Sequence, residues 1–475
     1  MPTRKDFLKT GALAAAGLIA RPLSFPSFIT PAGYTSKRPK PSDRLFRSEA
    51  VEETIKEVTK ALPNKKLAWL FENCFPNTLD TTVEFQMKNG RPDTFVITGD
   101  IEAMWLRDST AQVWPYLSLT AKDDHLKQLI AGVVNRQTQC ILIDPYANAF
   151  NKKPTGSEWD SDHTDMNPWL HERKYEIDSL CYPIRLAHGY WKTTGDTSVF
   201  DDDWKKAVAT VVKTFRQQQR KDEHGPYHFQ RVTANPYDTQ SLGGYGNPIN
   251  PVGLICSMFR PSDDATLLPF LIPSNAFAVV SLRQLAEISE KVTHNRSFAN
   301  ECRNFADEVE KALKQYGISK HDQFGEIIAY ESDGFGNHLF MDDANVPDLL
   351  GIPYLGYLKK DDPLYKRTRA FVLSDSNPFF FKGKAAEGIG SPHTGMNRIW
   401  PIGITMRALT STDESEMKHC IDMLLNTTAD TGFMHESFDK DDPKKFSRSW
   451  FAWANTLFGE MILHVYHDYP KALDI

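Results

Sequence analysis

The stretch from residue 175 to residue 215, YEIDSLCYPIRLAHGYWKTTGDTSVFDDDWKKAVATVVKTF, decides the fold. Apolar residues recur at three- and four-residue spacing from Tyr175 to Lys192 and again from Val199 to Phe215, the period of a helix that buries one face. Between them Thr193-Thr194-Gly195-Asp196 puts a glycine where a helix ends, so the whole reads as a helical hairpin. Similar pairs follow at Ala103 to Leu119 with Asp123 to Cys140, Ala276 to Ser289 with Asn295 to Gln315, Val346 to Gly356 with Pro363 to Leu373, and Arg398 to Leu409 with Ser415 to Asn426. With Glu49 to Leu62 opening the series and Trp450 to His464 closing it, about six hairpins are counted. Each has one very apolar and one amphipathic member, which suits an inner ring buried all round and an outer ring buried on one stripe. A helical solenoid is the competing all-α arrangement, but no fixed repeat of ~34 residues is present. Strand signals are few and short, as at Asp93 to Ile97 and Glu326 to Tyr330.

A chain of 475 residues, 41% hydrophobic and 12% aromatic, can bury a large core. Its 55 basic and 61 acidic residues leave a net charge of −6 with no long block of either sign, which argues against nucleic acid as a partner. The 10 Trp and 16 Tyr suit sugar faces as well as core packing. Cys74, Cys140, Cys181, Cys256, Cys302 and Cys420 are dispersed without metal-ligand spacing, and at most one bridge is expected among them.

The N-terminus reads as a charged segment, Arg4 to Lys9, followed by an apolar run from Ala12 to Ala20. That run is too short to span a bilayer, which takes ~20 residues. It resembles a twin-arginine export signal with lysine in place of the second arginine, so export to the periplasm or beyond, by that route or the general secretory one, is expected. Residues 21–44, rich in Pro and Ser, read as a linker, leaving 1–44 as signal and linker and 45–475 as the catalytic domain.

Four loop segments gather carboxylates, Arg or His and aromatics just before a helical run: Thr98 to Ser109, Trp159 to Asp178, Phe259 to Ala265 and Gly432 to Phe438. In the third, Ser262 reads as a helix N-cap with Asp263 and Asp264 in the first turn, a purely structural role. Two adjacent residues on a helix point ~100° apart, so only one aspartate can face a given bond, while Arg260 is near enough to pair with the other. His435 and His393 lack the partners of a metal site, and no metal or cofactor is expected. Nucleophile elbows, Walker loops and dinucleotide fingerprints are absent in context, since Gly243-Gly244-Tyr245-Gly246 has no flanking strand and helix. Glycoside hydrolysis needs two carboxylates and a pocket of hydrogen-bonding groups, and that is what is left.

The segments T-G-D-I-E-A-M-W-L-R-D-S-T, F-R-P-S-D-D-A, S-P-H-T-G and F-M-H-E-S-F, in that order, resemble glycoside hydrolase family 125. The resemblance runs over essentially the whole chain after the linker. It implies an all-α (α/α)6 barrel of the six-hairpin glycosidase type. The implied activity is that of an exo-acting α-mannosidase, best known on α-1,6-linked mannose, that inverts without a metal. It makes Glu436 the general base and an aspartate of the Arg-Pro-Ser-Asp-Asp turn the general acid, for which Asp263 is preferred over Asp264. Trp105, Arg107, Asp108, Asp178, Arg260, Asp264, Asp343 and His393 are then the candidates for holding the sugar. The expected partner is a mannose-containing glycan, and the expected state a monomer. Other (α/α)6 hydrolases, such as a glucosidase or a trehalase-like enzyme, and a non-catalytic carbohydrate-binding protein are the rival readings.

Overall fold

In the computed structural model, which describes residues 33–475, the deciding stretch is a helical hairpin. Its first helix, Ile177–Thr194, ends at Gly195, which takes the left-handed conformation (φ 70°) and donates its N–H to the Trp191 carbonyl. Its second, Asp202–Gln218, begins at Asp201, whose carboxylate accepts the Trp204 N–H as an N-cap.

Among the described residues there are twelve helices of eight residues or more. Ala452–Asp468, Leu106–Val113, Ile177–Thr194 and Ile272–Lys291 pack in turn, and Pro401–Leu409 packs on Ala452–Asp468. The short helix Ile352–Leu355 packs on Ile272–Lys291. Behind this inner ring lie Lys65–Cys74, Asp124–Ile143, Asp202–Gln218, Arg296–Tyr316, Pro363–Val372 and Glu414–Asn426, with Glu49–Ala61 against Lys65–Cys74. All eight residues of Leu106–Val113 are buried, whereas Arg296–Tyr316 buries only Ala299, Cys302, Phe305, Ala306, Val309, Ala312 and Leu313, a stripe at helical spacing. The fold is of the (α/α)6 class that the resemblance implies, with the inner and outer rings that the hairpin pattern suits.

Two elements differ from the expectation. Of Val346 to Gly356 only Ile352–Leu355 is helical. The Asp342 carboxylate takes the Leu349 and Leu350 N–H groups and that of Asp348 takes the Gly351 N–H, so side chains satisfy donors a helix would have used. Conversely, the helix Lys65–Cys74 is not among the expected pairs: Leu67 to Phe71 are buried in succession, a short apolar run that cannot be told from a strand by its pattern. Residues 36–475 form one compact unit that begins before residue 45, since Arg38 donates to both Asp80 (2.7 Å) and Glu52. The export signal lies outside the described residues. All six cysteines are buried free thiols, and no described helix is long and apolar enough to cross a membrane.

Candidate active site

The segments that enter the inner helices at their N-termini make the site. They are riveted together by short antiparallel ladders: Met104–Trp105 pairs with Ala149–Phe150, which pairs with Leu170–Glu172, and Arg398–Ile399 pairs with Ser437–Asp439, which pairs with Phe446–Ser447. Loops held at both ends by ladders and helix starts present side chains in fixed directions. Between them opens a cleft of about 410 Å³, near the lower end of the ~300–1,000 Å³ range of small-molecule sites. Asp263 and Glu436 both line it, and so do Trp105, Arg107, Asp108, Asp264 and His393.

One wall is built on Arg107, in the first turn of Leu106–Val113. Its guanidinium is 3% exposed and donates to Glu176 (2.7 Å), Asp178 (3.2 Å) and Asp263 (3.1 Å), with Asp108 at 3.5 Å. Asp263 stands on a tight turn, not a helix: Phe259 bridges Ala265, Arg260 N–H reaches the Asp264 carbonyl at 2.7 Å, and Asp263 itself has φ 65°. Aspartate is one of the few non-glycine residues that tolerates this region. The helix-cap reading of Ser262 therefore fails, and its hydroxyl instead donates to Asp343 (2.8 Å). The Asp263 carboxylate accepts from Asn148 as well (3.3 Å), and its carbonyl is held by the Lys174 ammonium (2.9 Å). Burial alone would raise the Asp263 carboxyl, yet Arg107, Lys174, a hydrogen bond from Glu176 and His393 together hold it far below the usual carboxylate range. Glu176 goes the other way: burial drives it up, Arg107 opposes, and the neighbouring Asp178 and Asp263 raise it further. Asp178 is likewise raised to about 6, chiefly by burial.

The opposite group is sparser. Glu436, 9% exposed, has Arg448 at 3.5 Å, and Arg448 also pairs with Asp100. His435 beside it is turned away, stacked on Phe446 (3.9 Å) and bonded to backbone carbonyls of Thr428, Arg448 and Ser449. His393 Nδ1 meets Asp264 at 3.0 Å. Burial pulls that imidazole down, but Asp264, then Glu436 and Asp263, push it up to about 9, so it is cationic at neutral pH. Four buried atoms of cleft-lining residues, Trp105 Nε1, Arg107 Nε, Arg448 Nε and Asp264 Oδ2, find no hydrogen-bond partner among the described residues, and Trp105 Nε1 and Asp264 Oδ2 are a donor and an acceptor suited to a hydroxyl-rich ligand.

Three sequence candidates stand behind the wall and do not line the cleft. Arg260 pairs with Glu331 (2.6 Å), not with an aspartate of its own turn. Asp343 accepts from Ser262, Ser391 (2.9 Å) and Asn345 (2.9 Å), and so ties the Asp263 turn to the His393 turn. Asp178 is buried against Arg107. Conversely, Lys174, Arg231, Asp238, Arg448, Trp400 and Trp453 line the cleft without having been chosen as site residues. Arg231 crosses from Asp162 (2.6 Å) to Glu172 (2.9 Å) and Asp238 (3.0 Å) and lies 3.7 Å over the Trp159 ring. Among the described residues no group of three or more His, Cys, Asp or Glu is arranged to hold a metal ion.

A double ring of helices whose one mouth gathers buried carboxylates, cations and indole rings around a sugar-sized cleft defines a glycoside hydrolase. The chain belongs to glycoside hydrolase family 125, the metal-independent alpha-mannosidases, whose sequence model matches residues 64–463. A metal-independent alpha mannosidase of Streptococcus pneumoniae, solved as a non-productive complex with alpha-1,6-mannobiose, is 43% identical with a TM-score of 0.85, over 91% of this chain and 100% of that one. The meiotically up-regulated gene 157 protein of Schizosaccharomyces pombe is 42% identical over 456 residues, 92% of this chain and 89% of its own. A bacterial glucoamylase complexed with acarbose, at 13% identity and a TM-score of 0.52 over 88% of this chain and 59% of that one, shares the fold.

Proposed function

We propose that this α-mannosidase is exo-acting and inverting, removes terminal α-1,6-linked mannose, and uses Asp263 as general acid and Glu436 as general base. The observation that carries the reading is that these two carboxylates, far apart in sequence, line one cleft in surroundings of opposite kind. Glu436 takes a proton from a water as that water attacks the anomeric carbon. Asp263 gives a proton to the glycosidic oxygen as the bond to the leaving sugar breaks. Inversion requires a separation of ~6.5–9.5 Å between the two carboxyl groups, leaving room for the water.

The α-1,6-mannobiose held by the pneumococcal relative supports that linkage for this chain. His393, the Trp105 indole N–H and the free oxygen of Asp264 are the groups proposed to grip the terminal sugar. Export and a monomeric state are proposed on the sequence alone, and fractionation with light scattering tests both. For the activity, a panel of α-linked mannobioses is incubated with the protein. Release of free mannose, fastest from the 1,6-isomer, is expected, and an intact panel would refute the reading.

A further inference from the structure

We propose that Glu176 is a positioning residue that stores the proton Asp263 delivers, so that the acid of this enzyme is a carboxyl pair and not a single aspartate. The inference rests on the reading of Asp263 as general acid.

The need for such a group arises from the surroundings of Asp263. Its carboxylate accepts from Arg107 and Asn148, and Lys174 stands at its carbonyl. Two cations at that range favour the ionised form, the wrong state for an acid. Glu176 supplies the remedy. One of its oxygens, Oε2, accepts from Arg107 (2.7 Å) and from the Ser179 hydroxyl (2.7 Å). The other, Oε1, is buried and finds no donor among the described residues, and the one Arg107 guanidinium holds Glu176 (2.7 Å) and Asp263 (3.1 Å) side by side. Two carboxyl groups can share a hydrogen bond only when one carries a proton. Of the two Glu176 oxygens, Oε1 is the one left free to carry it. Asp178 and Asp108 add further negative charge around Arg107, and the charge of His393 also favours the Asp263 anion. With more carboxylates than cations in a dry cluster, keeping a proton within it is cheaper than ionising every member.

The cycle then balances at the level of the pair. The pair begins with one proton. As the C–O bond to the leaving sugar breaks, that proton passes to the leaving oxygen through Asp263, the carboxyl that is 24% exposed to the cleft, whereas Glu176 is fully enclosed. Both carboxylates are then ionised against Arg107 and Lys174. The proton that Glu436 took from water leaves to solvent, and the pair reloads from solvent when the product departs.

Glu176→Gln keeps the acceptor for Arg107 and a donor toward Asp263 but holds no transferable proton. Its kcat/KM on α-1,6-mannobiose at neutral pH should fall by about 100-fold or more, and the alkaline limb of the pH profile should move to lower pH by about one unit or more. On 2,4-dinitrophenyl α-mannoside, whose leaving group departs unprotonated, the loss should be less than about tenfold. Equal losses on both substrates with an unmoved alkaline limb, or no loss on either, would overturn the proposal.

Ser179→Ala gives a second arm should that variant fail to fold. It removes a donor that stabilises the Glu176 anion, so the alkaline limb should rise, and a fixed limb would again count against proton storage. Asp263→Asn is assayed alongside. If it keeps wild-type cleavage of mannobiose, the acid assignment itself is wrong. If it collapses while Glu176→Gln does not, only the role of Glu176 is lost.

Discussion

The two walls of the cleft differ in how tightly their charges are bound. On the Asp263 wall one enclosed guanidinium serves four carboxylates, and Lys174, pulled down by burial but pushed up to about 12 by Glu172, Asp263 and Asp238, locks the backbone of the same turn. On the Glu436 wall the ion-paired cation is Arg448, 19% exposed, 3.5 Å away and shared with Asp100, while His393 is near enough to be pushed up by Glu436. A dense cluster of carboxylates can hold a proton against neutral pH, and the Glu436 wall has no such cluster. On the proposed reading, acid and base are separated by environment, since both side chains are carboxylic acids.

The sharpest way to break this comparison is to neutralise each wall in turn. Glu436→Gln should lower turnover by roughly 10²–10⁴-fold on both mannobiose and an aryl mannoside, because water needs its base whatever the leaving group. Asp263→Asn should cost a similar factor on mannobiose but much less on the aryl substrate. Steady-state kinetics on the pair of substrates checks both. If Asp264→Asn gives that second pattern and Asp263→Asn does not, the acid is the other member of the turn.

Arginine removal tests the difference in stability. Arg107→Met leaves a buried carboxylate cluster without its cation and should cost roughly 3–5 kcal/mol in denaturant unfolding. Arg448→Met removes one partly exposed, long ion pair and should cost no more than about 1 kcal/mol. Similar losses for the two would show that the walls are not built differently.

A smaller effect separates titrations of activity from titrations of stability. Glu460, on the inner helix Ala452–Asp468, accepts from the Tyr354 hydroxyl (3.0 Å) and is raised to about 7, burial outweighing the pull of Arg185. Its folded pKa lies above its unfolded value near 4.5, so the folded state binds the proton more tightly. Its ionisation therefore weakens the fold progressively as pH rises from about 4.5 to about 7. Glu460→Gln should raise Tm at pH 8 but not at pH 4, with kcat at its pH optimum unchanged. Calorimetry at the two pH values, with activity measured in parallel, decides it.

The legibility of the sequence follows the range of the interactions. Helices such as Asp202–Gln218 were readable because one buried stripe imposes a local period, and Gly195 and Asp201 mark their ends with local chemistry. Lys65–Cys74 was not, since the five successive buried residues Leu67 to Phe71 form an apolar run too short to be told from a strand. The site segments were readable as clusters of acids, aromatics and Arg or His, but the pairing of charges was not. Arg260 lies three residues from Asp263 and faces Glu331, while Arg107, distant in the chain, supplies the cation. Glu176 sits where a helix start would hold any acid, and Arg448 is brought to Glu436 only by the ladder of Ser437–Asp439 with Phe446–Ser447. Nothing local distinguishes those two from surface charges.

The stereochemistry of the first product tests the central claim most directly. A base on one face and an acid on the other deliver water opposite the leaving group. Proton NMR of the earliest product from an α-mannoside, read before mutarotation, should show β-mannose. α-Mannose as the first product would contradict the account, whatever the variants show.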